Sequence, residues 1–592
     1  MDSNIDVDEL FRVLGITRRY TVFQQILILV TSLPCAMNLM SYVFIGYRPP
    51  YRCAELSDSV INQRVSPSSV WKQNYTYTMT YDKCHVNLQW NGTNTTGEDT
   101  FECPNGYQYD IPKERSFVSE WDLVCEGAER SELSQSLLLF GQAFGALVFT
   151  QLSDKLGRKP ILIFSHICLF LVAISISFVP VFTAFMILRF FIGCLQQGVG
   201  LCNACIYLEM YPSEHRYKME VLGLTSWTTG VVLMAPVAYL LQQYSWRYTQ
   251  LAVSLFSFYS LFHYWMADES IRWLLANGKT KEAERIIRKA ARWNKLDFDD
   301  VIRRSKAKPL KEESEKLVSE DIVLQNYEMK DNESGPEKTK EINGDISYKD
   351  GSMQIKAYTV IDIFKNRHVL LISLICSFAW ITNSLTYYGL MLISSTLSGN
   401  RFLNYFLLAI VEYPSALAEL LLIGRYGRRW ACFILHAIAG ISLLIACILN
   451  LYKDISVMGT LSTVFSLIGK FGITGSFSTI FLFTPELFPT NLRNVGLGFA
   501  STAARVGGIL APFAGTLAER VAWGPGVIFT VMCLTTSFLV LFLPETTGRT
   551  LPTTIEELNV WYRDHGGICQ GRTKTEKGHV DEVRYQTPKE SV

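Results

Sequence analysis

The chain has 592 residues, 49% of them hydrophobic and 18% charged, with a formal net charge of +1. That balance excludes a global basic field for nucleic acid, and 13% aromatic residues exclude a disordered chain. The averages mix two populations. Residues 268–368 hold 41 of the 109 charged side chains and residues 47–132 another 21. Much of the remainder falls in apolar blocks of about 20 residues, long enough to cross a hydrocarbon core about 30 Å thick.

Residues 1–21 carry Asp2, Asp6, Asp8, Glu9, Arg12, Arg18 and Arg19 and no cleavage pattern, so they form a cytoplasmic N-terminus rather than a signal peptide. Apolar spans begin near 22, 134, 160, 184, 219 and 246, and again near 368, 402, 430, 456, 492 and 523. The expected fold is an all-α integral membrane protein of twelve helices. An N-terminal six-helix half occupies 22–266, a linker 267–367, a C-terminal half 368–543 and a tail 544–592. Lys155, Arg158, Lys159, Arg216, Lys218, Arg425, Arg428 and Arg429 all follow even-numbered spans, while the alternate short loops hold one positive charge or none. Both termini are therefore expected in the cytoplasm.

The loop at 47–132 then faces outward. It contains the glycosylation sequons Asn74-Tyr-Thr, Asn91-Gly-Thr and Asn94-Thr-Thr, and four cysteines, Cys53, Cys84, Cys103 and Cys125. Four cysteines in an oxidising compartment predict two disulfides, with three pairings open. On the cytoplasmic side, residues 279–304 place Ala283, Ile286, Ile287, Ala290 and Ala291 at helical spacing among charges, predicting a surface helix. Residues 326–352, rich in Glu, Lys, Asn and Gly, read as disordered. Gly278-Lys279-Thr280 lacks the first glycine of a phosphate loop, where Trp273 stands. No catalytic or metal-ligating pattern appears, so neither an enzyme nor a cofactor is expected, although sodium or proton coupling is compatible with the sequence.

An internal repeat organises the chain. Asp154-Lys-Leu-Gly157-Arg158-Lys159 is matched by Gly424-Arg-Tyr-Gly427-Arg428-Arg429, Glu209-x-x-Pro212-x-x-x-Arg216 by Glu486-x-x-Pro489-x-x-x-Arg493, and Asp268-Glu269-Ser270 by Pro544-Glu545-Thr546. Three ordered pairs at nearly constant offset mark two parallel halves. This pattern resembles the major facilitator superfamily across nearly the whole chain. The resemblance implies a site between the halves whose access alternates. Asp154, Arg158, Glu209, Arg216, Glu269, Arg428, Glu486, Arg493 and Glu545 are expected to pair at the cytoplasmic helix ends and hold that side shut.

Trp246-Arg-Tyr-Thr-Gln-Leu-Ala-Val-Ser254, Glu269-Ser-x-Arg272-Trp273-Leu274, Tyr387-Tyr388-Gly389-Leu390, Pro544-Glu-Thr-x-Gly548 and the large first loop are similar to the organic cation, carnitine and organic anion transporters. The chain departs from that pattern at Thr150, Gly424, Asp268 and Ile271. Sugar porters resemble it less, since their seventh-span Gln-Gln pair is absent.

Ionisable residues inside spans are costly and mark function. Glu412, Lys470 and Arg505 fall at matching depth on the eighth, tenth and eleventh spans, beside Trp380, Tyr387, Tyr388 and Phe477. These seven are the expected substrate-binding residues. Aromatic faces hold an ammonium group, and an arginine clamps a carboxylate. By the resemblance, Arg505 replaces the aspartate of strict cation transporters, and Ala416 stands where anion transporters often carry lysine. Glu412 with Arg505 then fits a zwitterion-handling, carnitine-type arrangement, with organic anions beside it and organic cations as the alternative. The expected protein is a polyspecific plasma-membrane transporter of small organic ions, with the bilayer and its substrate as partners. A non-transporting receptor built on the cysteine-rich loop is the competing reading from another class. The C-terminal Glu590-Ser591-Val592 fits a PDZ-type groove.

Overall fold

The computed structural model describes residues 5–56, 76–91, 96–212, 216–306, 346–349, 352–355, 360–452, 455–549 and 551–565. Nine helices among the described residues are long and apolar enough to cross a membrane. Arg493–Leu510 and Phe513–Arg520 add a span bent by 42°. Gly524–Val540 and the interrupted run Trp246–Leu255, Phe258–Phe262 and His263–Met266 complete two sets of six. The end bearing both termini also bears the arginine-rich short loops, which makes it the cytoplasmic end.

Each half is held by close helix approach. Gly141, Gly145 and Gly193 lie where the second span (Ala128–Leu156) crosses the fourth (Phe182–Glu209), and a Cβ on any of them would enter the backbone of Phe190, Cys194 or Leu138. Small residues permit this approach in a bilayer, where apolar burial alone gives helices little reason to prefer each other over lipid. Gly472 and Gly507 do the same in the second half, against the backbones of Leu435 and Ile381. The eighth span breaks into Arg401–Ile410 and Glu412–Tyr426, where Pro414 lacks the N–H that would bond the carbonyl of Ile410. Pro512 similarly lies at the bend of the eleventh.

The outward loop folds as two small sheets. Tyr51–Cys53 pairs with Tyr107–Tyr109, and Thr76–Tyr81, His85–Asn91 and Thr96–Glu102 form a three-stranded antiparallel sheet. Of the three possible pairings, the disulfides are Cys53–Cys103 and Cys84–Cys125. The second ties the loop to the start of the second span. Asn74 and Asn94 lie outside the described residues; Asn91 closes a strand.

The cytoplasmic segment departs from expectation in two places. Residues 279–304 form two helices, Thr280–Trp293 and Phe298–Arg304. Lys295 takes φ 56°, and the Asp297 side chain accepts from the Asp300 N–H at 3.0 Å to start the second helix. Asn294, at the break, donates to the carbonyl of Leu14 and accepts from the N–H of Tyr20. A local turn and cap therefore outweigh the continuous apolar spacing. Within the stretch read as disordered, Ile346–Lys349 pairs antiparallel with Ser352–Ile355. The tail forms the helix Ile555–His565, with Leu558 and Trp561 buried. Glu590-Ser591-Val592 lies outside the described residues.

Candidate functional site

At mid-depth the seventh span (Arg367–Leu392), the tenth (Ser456–Leu487) and the broken eighth and eleventh converge. Trp380, Tyr388, Phe477 and Arg505 line one cavity of about 100 Å³, together with Phe481, Ser384 and, from the other half, Leu139. The rings form a continuous wall: Trp380 lies 4.3 Å from Phe481 and 6.1 Å from Phe477, centroid to centroid. Trp380 is fixed by donating from Nε1 to Thr484 at 2.9 Å.

Glu412 and Lys470 do not line that cavity. They pair with each other at 3.0 Å, both side chains fully buried. The Lys470 ammonium lies 3.2 Å from the ring centroid of Tyr387. The fifth span (Arg216–Leu240), of the opposite half, reaches into this pair. Thr228 donates to Glu412 at 2.9 Å, and the Trp227 indole donates to the Tyr387 hydroxyl at 3.2 Å. Tyr387 thus belongs to the buried pair rather than to the cavity wall. The seven expected residues divide into a cavity group and a neutralised ion-pair group.

Arg505 differs from Lys470 in having no carboxylate partner among the described residues. Its guanidinium makes one long bond, 3.4 Å to Gln197 of the fourth span. A bidentate donor thus stands at the cavity with most of its hydrogen-bonding capacity open. The cavity is smaller than the usual volume of a drug-sized site, so loading requires the halves to separate.

The cytoplasmic motifs form two matching clusters. Arg158 pairs with Asp154 at 3.1 Å and Glu209 at 3.2 Å. Glu269 accepts from the N–H groups of Arg158 and Lys159, each at 3.1 Å at the nearer oxygen, capping the third span (Arg158–Ile176). Gly157, with φ 108°, makes this possible: a Cβ there would meet the Glu269 carboxylate at 2.5 Å. In the second half Arg428 pairs with Glu486 at 3.2 Å, and Glu545 accepts from the N–H groups of Arg428 and Arg429 beside Gly427, φ 90°. Arg493 donates to the carbonyl of Pro485 at 2.9 Å rather than to Glu486; the Arg216 side chain lies outside what the structure describes. Both clusters are internal to their own half.

Between the halves, a charged network closes the opposite, outward end. Arg48 pairs with Glu132 at 2.7 Å and with Glu519, and donates to Thr516 at 3.0 Å. Tyr42 donates to the second oxygen of Glu132 at 2.9 Å. Beside it Phe44 stacks on Phe402 and meets Tyr405 edge-on. Sequence reasoning does not find this latch, because a second span starting at 134 leaves Glu132 outside the membrane. It also misses Trp227, Thr228 and the fully buried Arg189 of the fourth span, which lies over the rings of Tyr42 and Phe185. The rule on intramembrane charge flags Arg189 directly.

Residues 75–558 match the sugar (and other) transporter family. The chain is 33% identical over 535 residues to the organic cation transporter protein of Drosophila melanogaster, covering 90% of each. It is also 33% identical over 472 residues to organic anion transporter 3 of Sus scrofa, covering 79% of this chain and 78% of that one. The chain belongs to the organic cation and anion transporter family of the major facilitator superfamily. The fold agrees with the inward-open xylose transporter XylE from E. coli, at a TM-score of 0.55 and 14% identity over 93% of this chain and 100% of that one. The chain is therefore a multi-pass membrane transporter of organic ions, not an enzyme.

Proposed function

We propose that this transporter moves small carboxylate-bearing organic solutes, anions and zwitterions, across the plasma membrane by alternating access. The observation that carries the choice of charge is the open guanidinium of Arg505 at the cavity, beside an ion pair that already satisfies Glu412. Relatives named for cations and for anions match at the same 33% identity, so overall similarity does not select the sign of the substrate. The site's local charge supports a carboxylate. Arg505 clamps the carboxylate, and Trp380, Tyr388 and Phe477 receive the apolar body or an ammonium group.

The test is uptake of an anion, a zwitterion and a cation in parallel, with and without sodium, at matched surface expression. Arg505→Asp is expected to lower anion and zwitterion uptake by about ten- to a hundredfold, the range for a lost charge-assisted contact. Arg505→Lys keeps the charge without the fork and falls between. Unchanged anion and zwitterion uptake in Arg505→Asp would refute the clamp. A wild-type protein that carries only the cation would move the reading to organic cations held by the aromatic wall.

A further inference from the structure

Where the third and sixth spans end at the cytoplasmic face, the helix Thr280–Trp293 crosses beneath them and encloses a groove of about 980 Å³. The helix sequence TKEAERIIRKAARW places Ala283, Ile287, Ala290 and Ala291 on the buried face. Lys281, Arg285 and Arg292 border the groove from the same helix. Lys159, near the start of the third span, and Tyr264 and Trp265, at the end of the sixth, form its other side.

The groove's charges do not cancel. Asp268 pairs with Lys289 at 2.7 Å and Glu284 with Arg288 at 2.8 Å, while Glu269 is engaged by backbone amides. Lys159, Lys281, Arg285 and Arg292 remain without an ion-pair partner among the described residues. Two carboxylates of the groove, Glu282 and the amide-capped Glu269, stand against them, so the lining as a whole carries six cations to four carboxylates. The Lys159 ammonium lies 5.1 Å from the ring of Tyr264.

The aromatics set the groove at the lipid boundary. Tyr264 and Trp265 are 61% and 70% exposed, and they continue an exposed apolar run through Phe258, Leu261 and Phe262 up the sixth span. Exposed aromatics at a span's end are interfacial anchors, and basic pockets beside cytoplasmic span ends suit anionic headgroups. A soluble anion would use the cations and leave that apolar run without a role.

We propose that this groove binds an anionic phospholipid of the inner leaflet, with a headgroup bearing more than one phosphate on Lys159 and Arg285 and its acyl chains along the sixth span. This does not depend on which organic ion the central cavity takes.

The test uses the full chain purified in detergent. Retained lipid is measured by native mass spectrometry after exchange with phosphatidylcholine alone, with phosphatidylserine, or with a phosphatidylinositol bisphosphate. Soluble inositol trisphosphate is added as a competitor in a further arm. The phosphoinositide is expected to be retained most, phosphatidylserine less and phosphatidylcholine least. Lys159→Gln/Arg285→Gln is expected to weaken retention roughly 25-fold, about fivefold per charge. Lys281→Gln/Arg292→Gln, changes on the same groove-lining face as Arg285 but exposed and clear of the span ends, serve if the first variant fails to purify. Arg303→Gln/Lys365→Gln removes equal charge elsewhere and is expected to retain the lipid. Full retention by the groove variants, an equal loss in the Arg303→Gln/Lys365→Gln control, or displacement by inositol trisphosphate as complete as by the lipid itself would each overturn the proposal.

Discussion

The two ends of the bundle use the same residue types in opposite ways. At the outward end, Arg48 joins Glu132 of the first half to Glu519 of the second. At the cytoplasmic end, Arg158 and Arg428 repeat one another's contacts, each inside its own half. The outward charges close a gate between rigid bodies; the cytoplasmic charges help make each body rigid. Such a division suits alternating access, in which the halves rock as units about a central site. The structure has its outward side shut, and a large apolar core continues there from the first half into Tyr387, Met391, Phe402 and Tyr405.

Breaking the outward latch is expected to have the largest effect. Arg48→Ala leaves Glu132, only 6% exposed at its side chain, without its counter-charge. Stranding a buried charge costs about 3–5 kcal/mol, and here the closed-outside state bears that cost. A cysteine placed at Ser384, which lines the central cavity, is expected to react much faster with an impermeant external thiol reagent in Arg48→Ala than in the native background. Glu132→Gln keeps the side chain's shape and an acceptor for Tyr42, so its effect is smaller. Unchanged labelling in Arg48→Ala would assign closure to the apolar contacts of Phe44 instead.

The cytoplasmic clusters are expected to respond differently and more weakly. Glu269→Ala or Glu545→Ala removes the acceptor that caps the third span or the ninth (Arg428–Asn450), a loss of about 1–2 kcal/mol. Thermal melting of the purified protein is expected to fall by a few degrees, while external labelling at Ser384→Cys stays at the native rate. Burial pushes the Glu269 carboxyl above its ordinary pKa, against the pull of the backbone amides. The folded state therefore binds that proton more tightly than the unfolded chain, and mild acidification favours folding at this contact; the contribution is lost as pH rises through the raised value. A labelling rate that rises in either variant would place these clusters between the halves after all.

The contrast between the ends also marks what a sequence makes legible. The cytoplasmic clusters are visible because the repeat prints them twice: Gly157 and Gly427 precede the arginines, and Glu269 and Glu545 arrive at matching offset. Arg48 and Glu132 occur once each, at a loop boundary, and nothing local points one at the other across 84 residues. At the centre, sequence depth brings Glu412, Lys470 and Arg505 to one level. It does not say which charges meet. That depends on the rotation of each span about its axis, and spans apolar on every side leave rotation unspecified. Lys470 therefore finds Glu412, while Arg505 meets, among the described residues, the amide of Gln197. Asp268 shows the same limit. It stands where the second copy of the repeat has Pro544, and in the fold it gathers Lys289, Tyr20 and Gln24 around one carboxylate oxygen.

The smallest effect is expected from a pair that looks like the latch on paper. Arg520 and Glu129 also bridge the halves at the outward end, at 3.2 Å, but both side chains are more than 60% exposed. Water screens such a pair, and holding two long side chains together costs conformational freedom, so its net contribution is about 0–1 kcal/mol. Arg520→Ala is expected to leave external labelling at Ser384→Cys within about twofold of native. Added salt is expected to erase even that difference, because exposed charges are screened first. The latch variant Arg48→Ala keeps its effect in the same salt series. If Arg520→Ala opened the outward side as far as Arg48→Ala does, burial would not be what makes Arg48 and Glu132 a gate, and the charge count between the halves would matter instead.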